Sequence, residues 1–196
     1  VTSGSFKKAG NNVYLVSVPY SAELAPDFDT FTKNTNSLYE INAAGKISAM
    51  YPVGAGGIAE AVTKMAMGNR VGVKIEKLPF SATDIGFSKD TKVSAKDLFA
   101  PLYGSIIVES TGELDERIFV EGTVTKLGKT VAEHAVQVAV TGVAEAEINL
   151  ADAEAAWESK LAEVFPPVSG AEVQESLPEF AKEIHPSLTE ARKNPV

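Results

Sequence analysis

The chain has 196 residues, of which 44% are hydrophobic and 22% charged, so wholesale disorder is excluded and one domain with at most an appendage is expected. It contains no cysteine, which excludes cysteine nucleophiles, thiolate zinc sites and iron–sulfur clusters. The net charge of −8 and the short apolar stretches, well below the ~20 residues of a membrane span, favour neither nucleic acid nor a membrane as a partner.

The first half of the chain alternates between strand and helix signals. Short runs of β-branched and aromatic residues predict strands over residues 13–18, 46–53 and 71–75. A helix capped by Asp27 or Asp29 is predicted between the first two strands, ending near Ala44 before Gly45. The positions of this helix expected to face the core are Phe28, Phe31, Leu38 and Ile41.

A second helix, ending at Gly68-Asn69, is indicated by apolar residues that recur at i, i+3, i+4, i+7 and i+8: Ile58, Ala61, Val62, Met65 and Ala66. Farther along, Ser94 begins a short predicted helix with Asp97 at its third position. Further strands are predicted over residues 105–109, 117–124 and 136–143. A last helix, capped by Asp152 and ended by Pro166-Pro167, is predicted to bury the stripe Trp157, Leu161, Val164 and Phe165.

This order of elements predicts an α/β or α+β fold in which helices pack on a mixed β-sheet. Residues 1–165 form the predicted domain, and residues 166–196 are predicted to be a proline-containing linker or tail. Because the opening residues are typical of mid-chain sequence, we expect the chain to be a fragment of a longer protein.

One segment carries chemical content: a strand, the glycine turn Gly54-Ala55-Gly56-Gly57, and then a helix. Glycine lets the backbone approach a ligand closely, and the unpaired N–H groups at a helix N-terminus suit a phosphate. The spacing matches neither a Walker loop nor the Rossmann fingerprint. A tight strand-to-helix turn without a ligand is the alternative interpretation.

Other polar residues are weaker candidates. Lys64 follows Glu60 by one helical turn, which predicts a solvated ion pair. Arg70 could reach a bound anion, although a surface arginine at a helix end is the simpler interpretation. Glu109 and Ser110 lie at the end of a predicted buried strand, where polar residues are either site residues or simple turn formers. An acidic run could hold magnesium or form a solvated loop: Glu113, Asp115 and Glu116. For His134, a catalytic dyad has little support.

Two stretches, 52–61 (PVGAGGIAEA) and 64–73 (KMAMGNRVGV), resemble the C-terminal domain of the aminoimidazole ribonucleotide synthetase superfamily. Within it, the resemblance is strongest to the phosphoribosylformylglycinamidine synthase family. Residues 98–99, 104–109 and 121–124 support it, and the similarity covers about residues 11 to 165.

The resemblance implies a domain of an ATP- and glutamine-dependent ligase that converts formylglycinamide ribonucleotide to the amidine in purine biosynthesis. It implies ATP and Mg²⁺ in the full enzyme, a cytoplasmic location, and two partners in the same chain, a preceding ATP-binding domain and a glutaminase domain after the linker. The residues it places near ribonucleotide or nucleotide phosphate are Gly54, Ala55, Gly56 and Gly57, with Arg70 as a further candidate. No catalytic residue and no metal ligand is expected in this chain, which we expect to be inactive alone.

The sequence departs from the family pattern at two places. Pro52 stands where many relatives carry aspartate, and residues 109–113 (ESTGE) lack the arginine of the corresponding family segment. Two alternatives therefore remain: a non-catalytic scaffold domain that holds at most a structural nucleotide, or another superfamily member of the thiamine-phosphate kinase or hydrogenase maturation type.

Overall fold

A mixed β-sheet organises the computed structural model, which describes residues 2–21, 25–79 and 93–160. Within the described residues the sheet has seven strands in the order β2-β4-β1-β5-β3-β6-β7. All neighbouring strands are antiparallel except β3 and β6, which are parallel. The strands are β1 Asn12–Val16, β2 Ile47–Pro52, β3 Gly72–Ile75, β4 Ile106–Ser110, β5 Val124–Val131, β6 Ala135–Val138 and β7 Ala146–Asn149. The predicted mixed-sheet α+β class is confirmed.

The described helices are α1 Phe28–Ala43, α2 Gly57–Asn69 and α3 Leu150–Ser159, with short 3₁₀ turns at Ala95–Phe99 and Glu116–Ile118. Helices α1 and α2 cover opposite faces of the sheet. Alternate residues of a strand point to opposite faces, so the contacts of β1 show which helix covers each face. Val13 and Leu15 pack with α2, whereas Tyr14 and Val16 pack with α1.

Two units divide the chain, Val1–Trp157 and Glu158–Val196, and the sheet with α1 and α2 lies in the first. The predicted boundary at residue 165, the linker 166–196 and three positions of the last apolar stripe lie outside the described residues. They stay predictions. No helix in the described part of the chain is long and apolar enough to cross a membrane.

Helix α1 begins as predicted, but its buried face is only half right. Asp27 caps the helix by accepting a hydrogen bond from the Thr30 N–H at 2.7 Å, which lowers the pKa of the Asp27 carboxyl. Leu38 and Ile41 are buried, whereas Phe28 is 69% exposed and Phe31 lies near the surface at 37%.

The polar residue Asn34 takes a buried position on this face because all its hydrogen-bonding groups find partners. Its amide nitrogen donates to Ser17 O at 3.2 Å and to Thr123 Oγ1 at 3.0 Å, and its oxygen accepts from the Val120 N–H at 3.0 Å. The buried side of α1 therefore runs through Thr30 and Asn34, and the two phenylalanines fall beside it.

Helix α2 confirms its predicted apolar stripe. Ile58, Ala61, Val62, Met65 and Ala66 are each at most 1% exposed and belong to the larger core cluster. The helix ends after Asn69, as predicted, and Arg70 closes it in the left-handed conformation with φ +56°.

The second half of the chain contains the wrong element boundaries. Residues 117–124, predicted as a strand, instead hold the 3₁₀ turn Glu116–Ile118 and a loop. Asp115 stabilises this turn by accepting hydrogen bonds from the Arg117 backbone N–H at 3.2 Å and from its Nε at 2.8 Å. Strand β5 starts only at Val124, β6 stops at Val138 rather than residue 143, and the edge strand β7 has no counterpart in the prediction.

Helix α3 was predicted with the wrong cap and the wrong buried face. Asn149, not Asp152, caps it, because Asn149 Oδ1 accepts from the Ala151 N–H at 2.9 Å and the Asp152 N–H at 3.3 Å. Trp157, predicted to be core, is 60% exposed. Among the described residues of α3 only Leu150 is buried, so the Trp157 side chain lies at the surface.

Candidate functional site

The glycine turn links the last residue of β2 to the first turn of α2. Gly56 is the N-terminal cap residue of α2, and the Gly57 N–H donates to Gly54 O at 3.2 Å. Gly57 has φ +69°, a conformation that favours glycine. The sequence therefore forms the predicted strand, turn and helix at this point.

Gly57 is required by packing against the chain itself. A methyl group there would lie 2.5 Å from Leu98 O and 2.8 Å from Ala100 O. The 3₁₀ turn that supplies this backbone is fixed by a capping box in which the Ser94 N–H donates to Asp97 Oδ2 at 2.7 Å. Close approach of two backbones, rather than approach of a ligand, thus explains Gly57.

Gly56 also has an internal partner. Its backbone N–H donates to Glu60 Oε2 at 2.7 Å, and a methyl group at Gly56 would collide with that carboxylate at 2.5 Å. At Gly54, by contrast, the nearest atom to an added methyl group is Glu60 Oε2 at 3.6 Å. Of the three glycines, Gly54 has the least crowded side, where the Glu60 carboxylate is the one neighbour among the described residues beyond the adjacent positions.

An ion pair borders the turn. Lys64 Nζ lies 2.5 Å from Glu60 Oε1, which confirms the predicted i,i+4 pair. The pair lowers the pKa of the Glu60 carboxyl, aided by the Gly56 N–H, and raises the pKa of Lys64. Lys64 also lies over the Trp157 ring, 5.0 Å from its centroid. The turn therefore has one anionic and one cationic side chain beside it.

Arg70 lies at the opposite end of α2 from the glycine turn. The 13 residues of this helix span about 20 Å at 1.5 Å per residue. The guanidinium of Arg70 is 3.5 Å from the Glu154 carboxylate, and its side chain is 73% exposed. The structure brings Gly54, Ala55, Gly56 and Gly57 together and leaves Arg70 apart from them.

Pro52 ends β2, which is an edge strand of the described sheet, and is exposed. An edge position tolerates a residue without a backbone N–H. A carboxylate side chain at position 52 would be accessible to solvent, but the proline at this position carries none.

Glu109 lies inside strand β4, not at its end as the sequence predicts, and it is fully buried. Its carboxylate accepts hydrogen bonds from the Lys7 N–H at 2.9 Å, the Lys8 N–H at 3.3 Å and Asn11 Nδ2 at 2.7 Å. Glu109 thus fastens the N-terminal segment to the sheet. An acidic residue inside the apolar run IIVES is the sequence signal for such a buried carboxylate.

The structure does not bring the other polar candidates together into one site. Glu113 pairs with Lys126 Nζ at 2.6 Å and accepts a short hydrogen bond from the Tyr14 hydroxyl; both contacts lower the pKa of Glu113. His134 Nε2 is buried without a hydrogen-bond partner, 3.8 Å from Glu154 Oε1. In the described part of the chain no three His, Cys, Asp or Glu side chains form a group that could hold a metal ion.

Sequence reasoning missed an exposed aromatic surface at the same end of the sheet as the glycine turn. We define this aromatic surface as Phe28, Phe31, Phe99 and Tyr103, whose exposed fractions are 69%, 37%, 60% and 52%. The Tyr20 hydroxyl donates to Tyr103 O at 2.7 Å, and Phe31 lies 3.5 Å from the side of Gly104. A methyl group at Gly57 would lie 2.7 Å from the Phe99 carbonyl carbon, so the backbone of Phe99 lies next to the turn.

Comparison with solved structures gives matches at low sequence identity. Phosphoribosylformylglycinamidine synthase II from Thermotoga maritima matches with a TM-score of 0.61 and 13% identity, over 76% of this chain and 27% of that one. T. maritima PurL complexed with FGAR gives 0.59 and 10%, over 77% and 29% of the two chains. E. coli HypE gives 0.56 and 15%, over 76% and 52%.

The chain therefore spans about a quarter of the PurL chains and about half of HypE. Comparisons with protein-family models and with curated protein sequences give no match. At 10–16% identity the similarity concerns the fold. The chain has the aminoimidazole ribonucleotide synthetase-like fold that these PurL and HypE structures share, as the glycine-turn segment predicted.

Proposed function

We propose that this chain is the C-terminal-type domain of an ATP- and glutamine-dependent C–N ligase of the phosphoribosylformylglycinamidine synthase family. The observation that carries the proposal is the fold match over 76–77% of the chain to PurL structures, one of them complexed with FGAR. The glycine turn supports it, because it places a strand end and a helix N-terminus at one point.

In the proposed reaction, the amide oxygen of formylglycinamide ribonucleotide is phosphorylated by ATP, and ammonia from glutamine then displaces phosphate to give the amidine. The contribution of this chain is to position the ribonucleotide or nucleotide phosphate by backbone N–H groups of residues 54–57. At Gly54, where an added methyl group would meet only the Glu60 carboxylate oxygen at 3.6 Å among the described residues beyond its chain neighbours, a phosphate would approach the turn most closely.

The rest of the machinery is proposed to lie in partner domains of the same cytoplasmic chain: an ATP-binding domain before this one and a glutaminase domain after it. The proposed Mg²⁺ would neutralise phosphate charge in the full enzyme. The described residues form no group of three acidic or histidine ligands, so they do not fit a magnesium site, and we assign no metal ligand here.

The test is an amide NMR titration of the chain with inorganic phosphate, with ADP and with formylglycinamide ribonucleotide. Saturable shifts centred on residues 54–58 are expected, and the order of affinities distinguishes substrate from nucleotide. Gly54→Ala is the matched variant, because it blocks the open side of the turn and meets only Glu60 Oε2 at 3.6 Å. Flat spectra for all three ligands would overturn phosphate binding by this chain.

A non-catalytic scaffold domain is the second candidate, and a specific contact favours it. The Gly56 N–H already has a partner in Glu60, and Gly57 is explained by packing. A scaffold would show no shifts with formylglycinamide ribonucleotide and at most those of a structural nucleotide with ADP, yet it would still be needed for the activity of the full enzyme. ATP- and glutamine-dependent amidine formation by the isolated chain would contradict both candidates.

A further inference from the structure

The Glu60 carboxylate sits where a ligand phosphate would accept hydrogen bonds from the glycine turn. Its Oε2 accepts from the Gly56 N–H at 2.7 Å and lies 3.6 Å from the open side of Gly54. Among the described residues beyond its chain neighbours, no other atom lies within 4 Å of a methyl group placed at Gly54. The group that fills the approach to the turn is therefore an anion supplied by α2 itself.

Glu60 can leave this position without disturbing the core. Its side chain is 37% exposed, and it projects from the side of α2 opposite the buried stripe. The contacts that hold it are the Gly56 N–H and Lys64 Nζ. Both are groups that would bind a phosphate equally well.

Resting on the proposed function, we propose that Glu60 is an internal competitor of the ligand phosphate, and that Lys64 changes partner from Glu60 to the phosphate when the ligand binds. A phosphate and the Glu60 carboxylate cannot share the Gly56 N–H, because two anions at hydrogen-bond distance from one donor repel each other strongly. Binding then requires the Glu60 side chain to rotate into solvent. Lys64, held over Trp157 at 5.0 Å, stays in place to receive the phosphate.

The arrangement makes the turn selective by charge. A singly charged or neutral ligand gains too little to displace a carboxylate that is already paired with Lys64. A phosphate monoester carries more charge and three acceptor oxygens, so it can replace both contacts of Glu60. The ligand class that fits is therefore a phosphate monoester rather than an uncharged nucleoside.

The test compares Glu60→Ala and Glu60→Gln with the unmodified chain in calorimetric and amide NMR titrations with inorganic phosphate and with ADP. Glu40→Gln, which removes one exposed negative charge on α1, is the matched control. Glu60→Ala should bind phosphate about tenfold more tightly because a competing anion is gone, and Glu40→Gln should bind like the unmodified chain. Adding Lys64→Met to Glu60→Ala should reverse most of the gain.

The outcomes separate the two proposals. Equal affinity of the unmodified chain and Glu60→Ala, with shifts at residues 54–58 in both, would overturn the competitor role and leave the phosphate site intact. An absence of shifts in every variant would overturn both. The chemical-shift dispersion of the amide spectrum is the folding control for each variant, because unfolding of the core would reduce this dispersion.

Discussion

Asn11 donates its side-chain amide to the Glu109 carboxylate at 2.7 Å, and both residues are buried although 98 positions separate them in the sequence. The same carboxylate accepts the backbone N–H groups of Lys7 and Lys8. One fully buried carboxyl group therefore joins the N-terminal segment to strand β4. Its removal leaves these donors without a partner.

Glu109→Ala is expected to destabilise the fold by about 3 kcal/mol, because the buried Asn11 amide and the backbone N–H groups of Lys7 and Lys8 lose their acceptor and a cavity replaces the fully buried side chain. Urea denaturation measures the change in unfolding free energy. Glu121→Ala, at an exposed position, is the control and should change stability by less than about 0.5 kcal/mol. A small effect at Glu109 would show that these hydrogen bonds do not hold the N-terminal segment to the sheet.

The glycines of the turn should respond differently to the same substitution. Gly57→Ala places a methyl group 2.5 Å from Leu98 O at φ +69°, so we expect a loss of about 3 kcal/mol or more. Gly54→Ala meets ordinary contact at 3.6 Å and should leave the unfolding free energy within about 1 kcal/mol. Thermal denaturation of the two variants side by side checks this contrast.

Tyr14 should make the fold sensitive to alkaline pH. Burial, followed by the hydrogen bond to Glu113, raises the pKa of Tyr14 to about 12. The folded state favours the neutral phenol, so its contribution is complete below the ordinary pKa near 10 and is lost as the pH rises from about 10 to about 12.

Tyr14→Phe isolates this effect from the titration of other tyrosines and lysines. The unmodified chain should lose stability relative to Tyr14→Phe over that pH range, in denaturation curves measured at intervals from pH 9 to 12. A difference that stays constant with pH would show that the Tyr14 hydroxyl titrates normally.

Trp157 and Ile58 offer a test of which apolar residues form the core. Trp157 is 60% exposed and touches Lys64, so Trp157→Ala should cost less than about 1 kcal/mol. Ile58 is fully buried, and Ile58→Ala should cost about 2–5 kcal/mol. Acrylamide should quench Trp157 fluorescence efficiently in the folded chain, and weak quenching would place the ring in a buried environment instead.

Sequence patterns correctly predicted the elements that depend on residues close together in the chain. The spacing of Ile58, Ala61, Val62, Met65 and Ala66 specifies an amphipathic helix whatever lies beside it, and all five are buried. Asp27 and the Ser94–Asp97 pair cap their helices through contacts within three residues. Pattern failed at residues 117–124, where the Asp115–Arg117 hydrogen bonds favour a turn over the strand that side-chain type suggests.

The glycine turn between β2 and α2 and the Glu60–Lys64 pair follow from the sequence, because each depends on residues at most a few positions apart. The α+β class follows from the order of strand and helix patterns along the chain, although the strand pairing itself is long-range. Only the tertiary structure decided that Phe28, Phe31 and Trp157 lie at the surface, that Glu109 is enclosed, and that Arg70 stands apart from the turn. Those outcomes depend on which distant segments meet: Asn34 displaces the phenylalanines from the core by bonding to residues 17, 120 and 123. Whether a side chain is buried depends on how the sheet and its helices assemble. The sequence shows only the general tendency of each residue type to be buried.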